Sequence, residues 1–373
     1  MEYDRSYQAY VLYVDKCKKL INETFFTSQD LDGLSYSNNE DINEIVKKHR
    51  QKMIEIKLEH TMRMIEQIVF VNQKIGFRLD LALIIKVAIL YHDIGRMRQA
   101  TWSNTFGDSI YKITGSKFNN HAEDGYDIFM NNDFNLDSRY VPIVGEAILH
   151  HGDYKNVAKL NYRYDSGLED ISIDKIVTGR RELNDLEWQV TSLIVQLVAD
   201  IDKSDILYQH LTEDFDMIRD YVYDKSMDSL DNIAYKWGIS KSDIIQYNRI
   251  DEVNYKPRKI RIPIENMDID KLEVPNYMKK MFYDNSWPEL KELIADENWN
   301  FITILWWRLS HFLNSIEFSS TLINIEESKL LPKIYEKIPL KFRPLVDEAF
   351  EYAMEVLVNE RVNRNKGNIY LKK

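Results

Sequence analysis

The amino-acid sequence predicts an all-α helical bundle carrying one small β-α-α-β unit, and three observations lead there. Through residues 41–72 apolar positions recur four apart, so that Ile56, His60, Met64 and Ile68 share one helical face. The stretch LALIIKVAIL, Leu81 to Leu90, is apolar on nearly every side and reads as a buried helix. Between Tyr221 and Ile264 the pattern changes to a short β-rich run, two helical stretches and a closing KIRIPI strand.

Taken in order, a first helix is expected from Tyr3 to Asn22, followed by a loop over 25–39 rich in Ser, Asp, Gly and Asn. The long helix Asp41–Asn72 comes next, then Leu81–Ile94, stopped by Gly95. Trp102–Asn120 is polar and glycine-containing and reads as a loop. Helix resumes near His121 and again from Pro142 to His151, with proline at a first helical position and Gly152 as the stop. Lys155–Asn184 is polar, and Asp185–Tyr208 is helical, with Asp200 set among Leu193, Ile194, Leu197, Val198 and Ile201. From Leu272 onward further helices appear, including the Trp306–Trp307 segment and a last one from Pro344 to Val362. This divides the chain into residues 1–218, an inserted module at 219–265, and helices of 266–373 packing on the first domain.

With 373 residues, 44% hydrophobic and 29% charged, the chain can bury a substantial core. Its net charge of -11 argues against an extended nucleic-acid surface, which needs many cationic phosphate contacts. Cys17 is the one cysteine, so a metal would be held by nitrogen and oxygen. Charges interrupt every apolar stretch of the N-terminal segment, and nowhere do 18 apolar residues run together. A cytoplasmic protein without membrane contact is the expectation.

The candidate ligands are His60, His92, Asp93, His121, His150, His151 and Asp200. Imidazoles and carboxylates at the ends or on the inner faces of buried helices are costly unless they hold something. Arg96 and Lys203 each follow a candidate carboxylate by three residues, a spacing that keeps both on one helical side. Each suits either a substrate phosphate or simple pairing with that carboxylate. Gln99 and Asp108 are candidates for the pocket wall. His49, His210 and His311 have no such context and read as surface or packing residues, as Trp306 and Trp307 read as core.

The strings LEHT around His60, HDIGRMRQ from His92, NTFGDS, HAEDG at His121, HHGD at His150 and ADIDKSDIL around Asp200 together resemble the HD-domain metal-dependent phosphohydrolase superfamily. That resemblance spans roughly Met53–Leu207. It implies a helical bundle in which His60, His92, Asp93 and Asp200 hold one ion, while His121, His150 and His151 serve a second, with Asp93 bridging both. Two divalent transition ions (Mn, Fe, Ni, Co or Zn) suit this donor set. The expected reaction is hydrolysis of a nucleotide or related small phosphoester by a metal-bound hydroxide. Asp93, Arg96 and Lys203 would be catalytic, and Arg96, Gln99 and Lys203 would contact substrate. A phosphodiesterase or nuclease acting on cyclic or short oligonucleotides is the alternative, although GDYKN after the histidine pair departs from the DGxGYP string of cyclic-dinucleotide hydrolases.

The central stretch resembles a LysM module through Leu230, Ile233 and Ala234, the stop at Gly238, Ile239 and Ser240, Asn248, and the closing Pro257, Ile260, Ile262 and Pro263. This resemblance implies a glycan contact, or a protein contact beside the site, and gives the reading from another class: a glycan-binding protein.

Overall fold

The computed structural model describes residues 2–24, 40–75, 77, 79–103, 106–132, 136–152, 185–212, 220–223, 229–251, 258–263, 266–268, 274–283, 301–313, 316, 325, 330–337 and 340–356. The chain forms two compact units, Met1–Asp202 and Lys203–Val362. The loop expected over 25–39 and the polar stretch Lys155–Asn184 lie outside the described residues.

In the first unit the helices are α1 (Glu2–Glu23), α2 (Glu40–Ile75), α3 (Leu79–Tyr91), α4 (Ile94–Trp102), α5 (Ser109–Ile113), α6 (His121–Met130), α7 (Val141–His150) and the first part of α8 (Asp185–Thr212). α1 packs on α2, α3 and α4, while α6 lies against α4 and α7. α3 is buried along nearly its whole length, because its sequence offers no polar face to water. Burial of Ile85, Ile89, Leu90, Met64, Ile68, Val144, Ile148, Leu197 and Val198 forms the core, each such side chain contributing about 1.5–3 kcal/mol.

Polar contacts fix the helix ends. Asn120 caps α6 by accepting from Glu123 N–H at 2.9 Å, a contact of about 1 kcal/mol. Buried Arg50 on α2 donates to the Thr101 and Trp102 carbonyls at 3.1 and 3.2 Å, satisfying the last turn of α4. Tyr91 O–H donates to Ser6 O at 2.7 Å and ties α3 to α1.

Two expectations are corrected here. Gly95 does not stop the buried helix; α3 already ends at Tyr91, His92 and Asp93 occupy the break, and Gly95 lies inside α4. Its missing side chain serves packing, since a Cβ there would collide with the His121 carbonyl oxygen and come within 3.0 Å of Gly125 N. The span Trp102–Asn120 is not all loop, since α5 forms within it.

The second unit begins within α8. β1 (Asp220–Tyr223) pairs antiparallel with β2 (Arg258–Arg261), Asp220 opposite Arg261 and Tyr223 opposite Arg258. Between them lie α9 (Leu230–Trp237) and α10 (Lys241–Asn248). Ser229 and Ser240 cap these two helices, and Gly238 ends α9 at a φ of 57°, where glycine carries no Cβ penalty. Asn248 joins α10 to β2, donating to Arg261 O at 2.7 Å and accepting from Arg261 N–H at 2.6 Å.

α11 (Asn276–Tyr283), α12 (Phe301–Leu313), α13 (Leu330–Lys337) and α14 (Arg343–Val356) follow among the described residues. Their apolar residues share one core with Leu230, Ile233, Ile244 and Ile260, and with Leu207 and Leu211 of α8. Trp306 is fully buried within it. The boundaries at 218 and 265 drawn from the sequence therefore do not coincide with breaks in the core. The physical break falls inside α8, after Asp202.

Candidate metal centre

Five elements bring their side chains together around Asp93. α2 supplies Lys57 and His60, one helical turn apart. The α3–α4 break supplies His92 and Asp93, the first residue of α6 is His121, the C-cap of α7 is His151, and α8 supplies Asp202. His60, His92 and Asp93 form one group whose ligand atoms all lie within 4.8 Å of one another, and Asp93, His121 and His151 form a second.

Asp93 is common to both, and its two oxygens face different ways. Oδ2 lies 4.0 Å from His60 Nε2 and 3.7 Å from His92 Nε2. Oδ1 lies 3.4 Å from His121 Nε2 and 3.8 Å from His151 Nε2. Each oxygen also has a cation beside it: Lys57 Nζ at 2.7 Å from Oδ2, and Arg96 Nε at 3.7 Å from Oδ1.

The rings are oriented by their other nitrogens, as ligand imidazoles are. His92 Nδ1 is 2.7 Å from Ile89 O, His151 Nδ1 is 2.6 Å from Ile148 O, and His121 Nδ1 is 3.0 Å from Asp108 Oδ1. All three present Nε2 to the centre. His92 Nε2 is buried and, among the described residues, has no hydrogen-bond partner, an arrangement that costs free energy unless something else fills the position. Burial pushes the His92 pKa below its usual value, and burial with the neighbouring His121 and His92 brings His151 down to about 3. Both shifts favour the neutral imidazole, the form that ligates. Burial opposes ionisation of Asp93, yet Lys57, His92, His121 and Arg96 together hold its carboxyl well below the usual range. Such a set of neutral imidazoles around shared carboxylates fits divalent transition ions.

Asp202, absent from the sequence-derived ligand set, stands where Asp200 was expected. Its Oδ1 lies 3.1 Å from His60 Nε2 and 3.8 Å from His92 Nε2. Asp200 is fully buried and accepts from Gln196 Nε2 at 3.3 Å on its own helix. Two residues apart on a helix means about 200° of rotation, so only one of the pair can face the histidines.

The adjacent histidines also part company. His151 joins the cluster, while His150 Nε2 lies 3.3 Å from Glu146 Oε2, one turn back on α7. A 100° step between neighbours explains the difference.

Of the remaining candidates, Arg96 Nη1 donates to Gln99 Oε1 at 2.8 Å and Asp108 Oδ1 at 3.2 Å, and Gln99 Nε2 donates to Gly107 O at 2.7 Å. Asp108 also accepts from the His121 backbone N–H at 3.1 Å. Although burial works against it, the His121 hydrogen bond and charge, with Arg96, lower the Asp108 carboxyl to about 2. Lys203 follows Asp202 on α8 and is half-buried. The sequence reading missed Lys57, whose one signal was its place one turn before His60.

The three histidines without ligand context lie elsewhere. His49 is exposed, His311 stacks on Trp307, and His210 packs against Phe312.

A shared carboxylate between two histidine pairs is the arrangement a comparison with known families can decide. Residues 57–207 match the HD domain. That span begins at Lys57 and takes in every residue of the cluster, and it supports placing this segment in the HD superfamily. No curated protein and no solved structure matches the chain. An HD domain with this His/Asp cluster implies a metal-dependent hydrolase of the phosphohydrolase kind. Among the described residues no helix is long and apolar enough to cross a membrane.

Proposed function

We propose that this protein is a metal-dependent phosphohydrolase acting on a nucleotide or related small phosphoester, with two divalent ions shared across Asp93. The observation that carries this reading is the division of the Asp93 oxygens, Oδ2 toward His60 and His92 and Oδ1 toward His121 and His151. His60, His92, Asp93 and Asp202 would hold one ion, and Asp93, His121 and His151 the other. Bound ions of this class supply Lewis acidity and acidify water toward neutrality.

The chain's own residues supply the rest. Arg96 is aimed by Gln99 and Asp108, so its guanidinium is oriented before substrate arrives, which favours charge stabilisation in the transition state. Its fork suits two phosphate oxygens at once. Lys203, next to Asp202 on α8, is a second candidate for substrate charge.

A further reading concerns residues 219–265. The antiparallel pairing of β1 with β2 around two capped helices supports a LysM-like fold for this segment. Exposed Tyr235 and Tyr247 give it a surface for a glycan or protein contact. Retention on insoluble chitin or peptidoglycan tests that contact, and release into the unbound fraction argues against it.

The phosphohydrolase reading is tested by assaying phosphomonoesters, nucleotides and cyclic dinucleotides under Mn, Ni, Co and Zn, alongside Asp93→Ala. Hydrolysis that chelation abolishes and Asp93→Ala lacks is the expected result. Metal-independent turnover, or full activity in Asp93→Ala, would overturn it.

A further inference from the structure

The lysine ammonium beside Asp93 has more donors than partners. Lys57 stands one turn before His60 on α2, and its side chain is 16% exposed, so most of it is shut off from water. An ammonium carries three N–H donors and no acceptor, and burying one is costly unless those donors are spent. Among the described residues it makes one hydrogen bond, from Nζ to Asp93 Oδ2 at 2.7 Å. Its other neighbour is the Phe106 ring, whose centroid lies 5.6 Å from Nζ and which attracts the charge without accepting a conventional hydrogen bond.

Pairing with Asp93 alone does not account for a lysine at this position. Oδ2 is the oxygen turned toward His60 Nε2 and His92 Nε2, 4.0 and 3.7 Å away. A cation on that oxygen repels a divalent ion held by it, the more so where water is excluded. A neutral donor could hold the carboxylate in place without that cost. Nor is the ammonium spent on the histidines around it, since His92 Nε2 has no hydrogen-bond partner among the described residues. On the other oxygen a second cation stands by, Arg96 Nε at 3.7 Å from Oδ1. The shared carboxylate thus has positive charge beside each of its oxygens, delivered by two separate helices, α2 and α4.

Resting on the phosphohydrolase reading, we infer that Lys57 is a substrate contact whose unspent donors take an oxygen of the substrate's phosphate on the Oδ2 side of Asp93, as the Arg96 fork does on the Oδ1 side. A compact ammonium with three rotatable donors can keep its bond to Oδ2 and accept a phosphate oxygen together. The charge that weakens the hold on an ion is then returned as attraction for the substrate anion, and it is in place before the anion arrives.

Calorimetric titration of the Mn-loaded full chain with inorganic phosphate tests this, with Mn content measured on the same samples. Lys57→Met keeps the length of the side chain and removes its charge and donors. It should weaken phosphate binding roughly tenfold or more, while Mn content stays at the wild-type level. Lys57→Arg restores a cation without the same point charge and should recover part of the loss. A lysine that merely supports Asp93 gives a different pattern, in which Lys57→Met loses Mn. That loss, unchanged phosphate affinity in Lys57→Met, or wild type that binds no phosphate would overturn the inference. Phosphate binding that depends on Lys57, with no hydrolysis of any phosphoester, would instead sink the phosphohydrolase reading and leave the contact standing.

Discussion

Alanine at position 95 puts a Cβ onto the His121 carbonyl oxygen and within 3.0 Å of Gly125 N, where α4 crosses α6. Both are backbone atoms, so no side chain can rotate away, and α6 must retreat until the carbon stands about 3.5 Å off, a displacement of roughly 1.5 Å. Overpacking of this kind costs about 1–3 kcal/mol. At about 2–4 °C per kcal/mol for a unit of this size, the melting temperature of metal-free protein should fall by roughly 2–12 °C. The consequence for the site is more specific. His121 is the first residue of α6 and its Nε2 stands 3.4 Å from Asp93 Oδ1, whereas ligand distances tolerate only about 0.2 Å. Gly95→Ala should therefore retain the ion at His60, His92 and Asp202 and lose the one at His121 and His151. Elemental analysis after equilibration with Mn, paired with thermal unfolding of the chelated protein, measures both. A variant that keeps wild-type metal content and an unchanged melting temperature would refute the claim that the α4–α6 crossing sets the second position.

Other consequences can be measured independently. Asp202→Asn should lower metal content and activity by roughly 10-fold or more, while Asp200→Asn, altering a residue turned away from the histidines, should act on stability; equal loss of metal in both would revive Asp200 as a ligand. The same contrast applies to His151→Gln against His150→Gln, the first expected to cost the second ion and the second to keep it. Arg96→Ala should retain metal but lose roughly 10²-fold in turnover, with Arg96→Lys recovering part; full activity in Arg96→Ala on the true substrate would move the phosphate contact to Lys57 or Lys203. Cys17 is buried, and burial raises its thiol from 9.0 to about 11. Disulfide reagents at pH 8 should therefore label it only on unfolding. Because the folded thiol holds its proton above the unfolded value, its contribution to stability is complete below pH 9 and fades as pH rises toward 11; rapid labelling of the native protein at pH 8 would contradict this.

Much of the first unit was legible because apolar spacing dominates there. α1, α2, α3 and α7 lie close to their sequence-derived ranges, and the motif strings located His60, His92, Asp93, His121 and His151. What failed did so where spacing carries no direction. From Thr191 to Ile201 every residue of α8 is buried, so no polar face marks which aspartate of ADID turns toward the histidines. At HHGD the helix ends between His150 and His151, and a boundary known only to within a residue or two cannot assign a 100° difference. Lys57 has no local signature; its place in the site arises from where α2 meets Asp93. The unit boundary inside α8 was hidden for a related reason, since one unbroken helix serves two cores.

The central claim is that two divalent ions share Asp93, and manganese-edge anomalous diffraction from crystals equilibrated with Mn addresses it most directly. Two peaks are predicted: one enclosed by His60, His92, Asp93 and Asp202, the other by Asp93, His121 and His151. A map without density at either position, or with a peak ligated by Asp200 or His150 in place of Asp202 or His151, would contradict the account.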